Sequence, residues 1–324
     1  MKQIMKWICV AFFIVPVAYA QQQPRVTAIL EIFDIRDGRR TVVKEFPYSI
    51  EAPNWTPDGK WLVFNSRGKL YKISPDTPGE PRESYKPEKT GDWREATEPV
   101  EIPTGYATAC NNDHVISSDG KQIAISHGTK EDRKSRIYTL PFEGGTPALI
   151  TPMAPSYLHG WSPDKKMLAY CADRNGNYDV YVIPAEGGEE IRLTTADGLD
   201  DGPEYSPCGN YIWFNSVRSG LMQVWRMKAD GSEQTQMTFE ETRNSWFPHI
   251  SPDGRQVVFI TYAKDDVEPG QHPANKNVEL RLMPATGGEA KTITTLFGGQ
   301  GSLNVNSWAP DSQRFAFVSY RLTN

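Results

Sequence analysis

Apolar residues along this chain fall in short runs of strand length, and clusters of Pro, Asp, Gly and Asn separate them. One pattern recurs six times: NWTPDGKWLVF from Asn54, VISSDGKQIAI from Val115, GWSPDKKMLAY from Gly160, EYSPCGNYIWF from Glu204, HISPDGRQVVF from His249 and SWAPDSQRFAF from Ser307. Each copy is a short apolar strand, a tight turn and a strand of alternating polarity such as KWLVF or RQVVF. Period-two alternation marks a strand with one buried face. Proline presets φ at the first central turn position, and Asp and Gly complete the turn. Each copy is therefore predicted to be a β-hairpin.

A third strand follows each hairpin, in KLYKI, SRIYTLP, DVYVIP, QVWRMK and ELRLMP, and in most copies a glycine-rich turn then leads into a fourth, such as EIRLTT. The turn position falls at Asp58, Asp119, Asp164, Cys208, Asp253 and Asp311. Four strands at a period of roughly 45 residues predict an all-β, six-bladed β-propeller. The sixth copy ends after two strands, whereas Val26 to Phe46 has the third-strand, turn, fourth-strand pattern before the first copy begins. Residues 26–46 are therefore predicted to complete blade six and close the ring, which removes exposed sheet edges.

The W-S-P-D-G-K-x-x-x-F pattern, with the later x-I-Y-x-x-P, resembles the propeller repeats of the TolB family. The resemblance covers residues 21–324 and implies the propeller fold. TolB proper carries an N-terminal α/β domain in addition, for which there is no room between Ala20 and Val26. The resemblance leaves function open, because folds of this kind carry scaffolds, binding proteins and enzyme-appended domains.

The first twenty residues stand apart. MKQIMKWICVAFFIVPVAYA has two lysines, an apolar run from Ile8 to Val17 and the small-x-small end Ala18-Tyr19-Ala20, the signature of a signal peptide cleaved after Ala20. The apolar run is shorter than the ~20 residues of a membrane span. A periplasmic or secreted protein is expected, monomeric and without a membrane span after cleavage. Loss of Lys2 and Lys6 would make a balance of 35 basic against 40 acidic side chains more acidic still. That disfavours nucleic acid, which requires a concentrated basic surface. Cys110, Cys171 and Cys208 have no C-x-x-C spacing, so they read as packed thiols rather than a disulfide or zinc framework.

In a propeller the first strand of each blade lines the central channel, so the residues before each motif share one face with the loops after each second strand. All five histidines fall there: His114, His127, His159, His249 and His272. His114 and His159 occupy the same position on adjacent blades, with Asn306 as their counterpart in blade six. If that position points inward, the two imidazoles form a ligand pair for one divalent metal ion in the channel; otherwise they are polar groups solvating it. His249 is displaced by one residue, which in a regular strand turns its side chain to the other surface.

Arg67, Arg174, Arg218 and Arg321 follow second strands at nearly equal offsets. They would clamp a carboxylate or brace loops against acids. Asp200, Asp201 and Glu204 lie at the mouth as acid–base groups, cation ligands or a solvated loop. Tyr157 and Trp246 fall outside the motif register, where exposed aromatics would stack on a sugar or peptide. Trp55, Trp161 and Trp308 are expected to pack between blades.

No G-x-S-x-G elbow or H-E-x-x-H motif is present. The chain reads as an exported binding or scaffold protein whose channel-mouth face engages a periplasmic or cell-envelope protein or an oligosaccharide, and whether it is also an enzyme is left open by the sequence. The alternative is a metal-dependent lyase or hydrolase acting on acidic oligosaccharides, as the resemblance of this fold to oligogalacturonate lyases implies.

Overall fold

In the computed structural model, residues 25–75 and 98–323 are described; the leader lies outside them. Among the described residues twenty-three strands form six sheets. Blade one is β3 (Glu51–Trp55), β4 (Leu62–Ser66), β5 (Lys69–Ile73) and β6 (Val100–Ile102). Blades two to five repeat the order from centre to rim, starting with β7 (Cys110–Ile116), β11 (Ser156–Trp161), β15 (Asp200–Tyr205) and β19 (Arg243–Ile250). Among the described residues no helix is long and apolar enough to cross a membrane.

The repeated turns are built alike. A Ser or Thr hydroxyl donates to the turn aspartate in four copies: Thr56 to Asp58, Ser117 to Asp119, Ser162 to Asp164 and Ser251 to Asp253, at 2.6–2.8 Å. In the fourth copy Ser206 meets the Cys208 thiol at 3.3 Å instead. The last turn position is left-handed, as Gly59 at φ 72° illustrates, which is why glycine recurs there.

Blade six joins the two ends of the described chain. β23 (Arg314–Thr323) pairs antiparallel with β1 (Arg25–Asp34), from Arg25 opposite Thr323 to Asp34 opposite Arg314. β2 (Arg40–Phe46) covers the outer edge of β1. The innermost strand of this blade is reduced to a bridge between Trp308 and Phe315. A buried carboxylate fastens the seam: Glu31 accepts from Arg40 Nε at 2.9 Å and from the Ser319 hydroxyl at 2.6 Å.

Between blades the motif tryptophans do more than fill space. Trp161 and Trp308 are 8% and 4% exposed. Their indole N–H groups donate to the preceding blade, Trp161 to Val115 O at 2.9 Å and Trp308 to His249 O at 3.0 Å. A complementary bond uses the residue before the tryptophan position: Asn54 Oδ1 accepts from Ile116 N at 3.2 Å, and Glu204 Oε1 from Ile250 N at 3.0 Å. The inner strands are thus laced into a girdle.

Candidate functional site at the channel mouth

The geometry of the channel is set by bulges in the inner strands. β3, β11, β15 and β19 each carry one extra residue relative to their partner strands, between Glu51 and Asn54, Leu158 and Gly160, Asp201 and Glu204, and Trp246 and His249. β7 carries two, between Cys110 and His114. A bulge re-aims side chains that strict alternation would place on the opposite face.

His159 is the bulged residue of β11 and reaches Asp201, the residue before the bulge of β15, with Nε2 3.0 Å from Oδ1. Gly202 N donates to the same Asp201 oxygen at 2.7 Å. The imidazole stacks on Phe247, with ring centroids 5.8 Å apart. Phe247 in turn meets His272 edge-on at 5.0 Å. Asp113, from the β7 bulge, is 5% exposed and accepts from Asn111 Nδ2 at 2.7 Å.

The protonation states follow from burial and neighbours. Burial works against the His159 cation, but the Asp201 carboxylate more than offsets it and the pKa is raised above the ordinary value. Burial likewise opposes ionisation of Asp201, yet His159 holds its pKa down at about 2. Asp113 has no such close cation, so burial dominates and lifts it to about 6. Burial keeps His272 below its ordinary value.

Next to this group lies a second one. Glu204 Oε2 is 2.7 Å from His249 Nδ1, and Asn306 Nδ2 donates to Glu204 Oε1 at 2.6 Å. His249 Nε2 is 3.3 Å from Leu303 O. The site residues anticipated from sequence therefore come together in two clusters, His159 with Asp201 and Glu204 with His249 and Asn306. The expectation that a one-residue offset turns His249 away fails, because the β19 bulge resets the alternation.

His114 and His159 do not share an environment despite their matching motif position. His114 remains paired with Ile125 in the ladder. It is fully buried, neither ring nitrogen makes a well-formed hydrogen bond, and burial lowers its pKa to about 4. Among the described residues no group of three or more His, Cys, Asp or Glu side chains is gathered to hold a metal ion.

Arg174 is committed within its own blade, bonding Glu190 Oε1 at 2.8 Å and Pro155 O at 2.8 Å. Arg218 pairs with Asp200 and Gln234. Both brace loops. Trp246 is fully buried rather than exposed, because it pairs with Ile260 and packs beneath His272 with ring centroids 4.3 Å apart. Tyr157 is half-buried beside Tyr178, with centroids 6.4 Å apart, and burial raises its hydroxyl to about 12. Asp113, His272 and Phe247 belong to the site although the motif alignment did not single them out as ligands. His272 signalled only as one of the five histidines on this face, and Asp113 and Phe247 not at all, since the bulges that aim them are not visible in the sequence.

Chemically, the mouth presents two clustered aspartates against one raised and one lowered imidazole, with aromatic walls. Such a surface suits a cationic group, which would complement Asp113 without displacing the His159–Asp201 pair.

Comparison with known proteins agrees with the architecture. Residues 113–294 match the family model for the TolB beta propeller domain, PD40. The chain is 46% identical over 291 residues to an uncharacterized protein of Agrobacterium fabrum, covering 90% of this chain and 92% of that one. The solved structure of a TolB candidate from Agrobacterium tumefaciens superposes with a TM-score of 0.81 at 44% identity, covering 93% of this chain and 99% of that one. The Tol-Pal system protein TolB of Francisella tularensis is 22% identical over 266 residues, covering 77% of this chain and 55% of that protein. The family match and the near full-length relative together establish that this chain belongs to the TolB β-propeller family.

Proposed function

We propose that the protein is an exported binding module that engages a cell-envelope protein at the mouth of its channel, presenting its acidic inner wall to a Lys or Arg side chain of the partner. The observation that carries this reading is Asp113, a carboxyl that is 5% exposed and, among the described residues, hydrogen-bonded by the Asn111 side chain alone, beside an already satisfied His159–Asp201 pair. A buried carboxyl without a direct ion-pair partner is costly to ionise; the neighbouring His159 offsets only part of that cost, and an incoming cation would relieve the rest. The similarity to a Tol-Pal system protein supports an envelope partner, and the leader-like first twenty residues support a periplasmic or secreted location.

Site-specific photocrosslinking in living cells tests the proposal. A crosslinker at Tyr157, on the mouth face, is expected to trap a discrete adduct that weakens with Asp113→Asn. A crosslinker at Ser232, in an exposed turn at the rim, is expected to trap none. Equal adducts at both positions, or none at Tyr157, would overturn the reading.

A further inference from the structure

Beside the channel mouth, where blades six, one and two meet, lies a cavity of about 460 Å³ lined by Arg25, Tyr48, Glu51, Asn65, Arg67 and Asn111 among others. That volume is within the range of small-molecule sites, about 300–1,000 Å³. Arginines follow the second strand at a similar position in four blades. Three of them are neutralised within the protein, Arg174 by Glu190, Arg218 by Asp200 and Arg321 by Glu45. Among the described residues Arg67 alone of the four has no carboxylate partner, and its guanidinium lies 4.9 Å above the Tyr48 ring.

The opposite polarity is also present and also unanswered. Glu51 has no ion-pair partner among the described residues; Asn65 Nδ2 lies 3.4 Å from Glu51 Oε2, at the long limit of a hydrogen bond. Asn65 is 4% exposed, and its Oδ1 has no partner. Buried amide oxygens are nearly always satisfied, so this one marks a missing donor. The cavity thus holds an unpaired cation at its rim and unpaired acceptors in its wall.

We propose that this cavity binds a short peptide as a zwitterion, with the peptide's carboxylate on Arg67 and its ammonium group against Asn65 Oδ1 and Glu51. A guanidinium forks onto a carboxylate through two charge-assisted bonds, and Tyr48 supplies an apolar wall. The site does not depend on whether a protein docks at the channel mouth.

Isothermal titration of the purified protein at pH 7 with Ala-Ala, Leu-Leu and Phe-Phe tests the proposal. At least one dipeptide is expected to bind at or below millimolar concentration. Its N-acetyl and C-terminal amide forms are each expected to bind at least tenfold more weakly. Arg67→Asn keeps a residue tolerant of the left-handed φ of 50° at that position, and it is expected to weaken binding at least tenfold, as is Glu51→Gln. Arg321→Ala is expected to leave binding unchanged. Thermal unfolding of Arg67→Asn, a substitution at an exposed hairpin residue, verifies folding. Failure of all three dipeptides to bind, equal affinity in Arg67→Asn, or undiminished binding of the acetylated peptide would each overturn the proposal.

Discussion

His159 Nε2 and Asp201 Oδ1 stand 3.0 Å apart across the seam between the third and fourth blades, inside a channel wall that nearly excludes solvent. Removing one partner of a buried pair leaves the other charge uncompensated, at a cost of about 3–5 kcal/mol. His159→Gln is expected to destabilise at the lower end of that range, since Gly202 N still bonds Asp201. The pair is also pH-dependent. The raised His159 contributes fully below its ordinary pKa of 6.5 and fades as pH rises through the folded value. The depressed Asp201 contributes above 3.8 and fades as pH falls towards about 2. A double-mutant cycle of His159→Gln and Asp201→Asn, read by urea unfolding, should give a larger coupling energy at pH 5.5 than at pH 9. A coupling energy that does not change between the two would show that the contact is not an ion pair.

Asp113 has the opposite sign. Its pKa is raised from 3.8 to about 6 in the folded protein, so stability is greatest while the carboxyl is protonated and declines as pH rises through 4 to 6. About two pKa units correspond to at most ~3 kcal/mol. Asp113→Asn is therefore expected to stabilise the protein at pH 8 by about 1–3 kcal/mol and to change little at pH 4. Comparing urea midpoints at the two pH values checks this; equal effects would place the carboxyl in solvent.

For Trp161 the indole bond and the packing are separable. Trp161→Phe retains most of the apolar fill but leaves Val115 O without its donor, at about 1–2 kcal/mol. Trp161→Ala also opens a cavity between blades two and three, and should cost about 3–5 kcal/mol. Chemical denaturation of both variants measures the difference. Equal losses would mean that packing is irrelevant at this seam.

Ring closure makes a further demand. A chain shortened to begin at Pro47 lacks β1 and β2, so the edge of β23 is bare along its whole length. It is expected to aggregate, or to unfold at markedly lower urea concentration than the full chain. A midpoint unchanged from the full chain would show that β1 and β2 are dispensable.

The blades, their order and the closing strands were legible because a hairpin turn needs Pro, Asp and Gly at fixed positions, and those positions recur. The site was only half legible. Asp201, Glu204, His249 and Asn306 were identifiable as polar groups before a motif, but the pairing of His114 with His159 assumed unbroken alternation up to the turn. Alternation breaks in β7 two residues deep and in β11 one residue deep. The same motif offset therefore leaves His114 in the ladder against Ile125 and swings His159 onto Asp201. Where a bulge falls depends on the pairing of a strand with its neighbour, which spacing within one strand does not encode.

The pairing of β1 with β23 also orders events in time. Arg25 lies opposite Thr323, so the strand made first waits for the strand made last, and the longest loop in the molecule has to close before the sixth blade exists. Contacts this distant in sequence are slow to form. During synthesis five blades can assemble in turn from neighbouring hairpins while β1, paired only with β2, keeps its other edge open. β23 thus acts as the clasp of the ring, and a chain arrested shortly before Arg314 would have the other five blades and no closed fold.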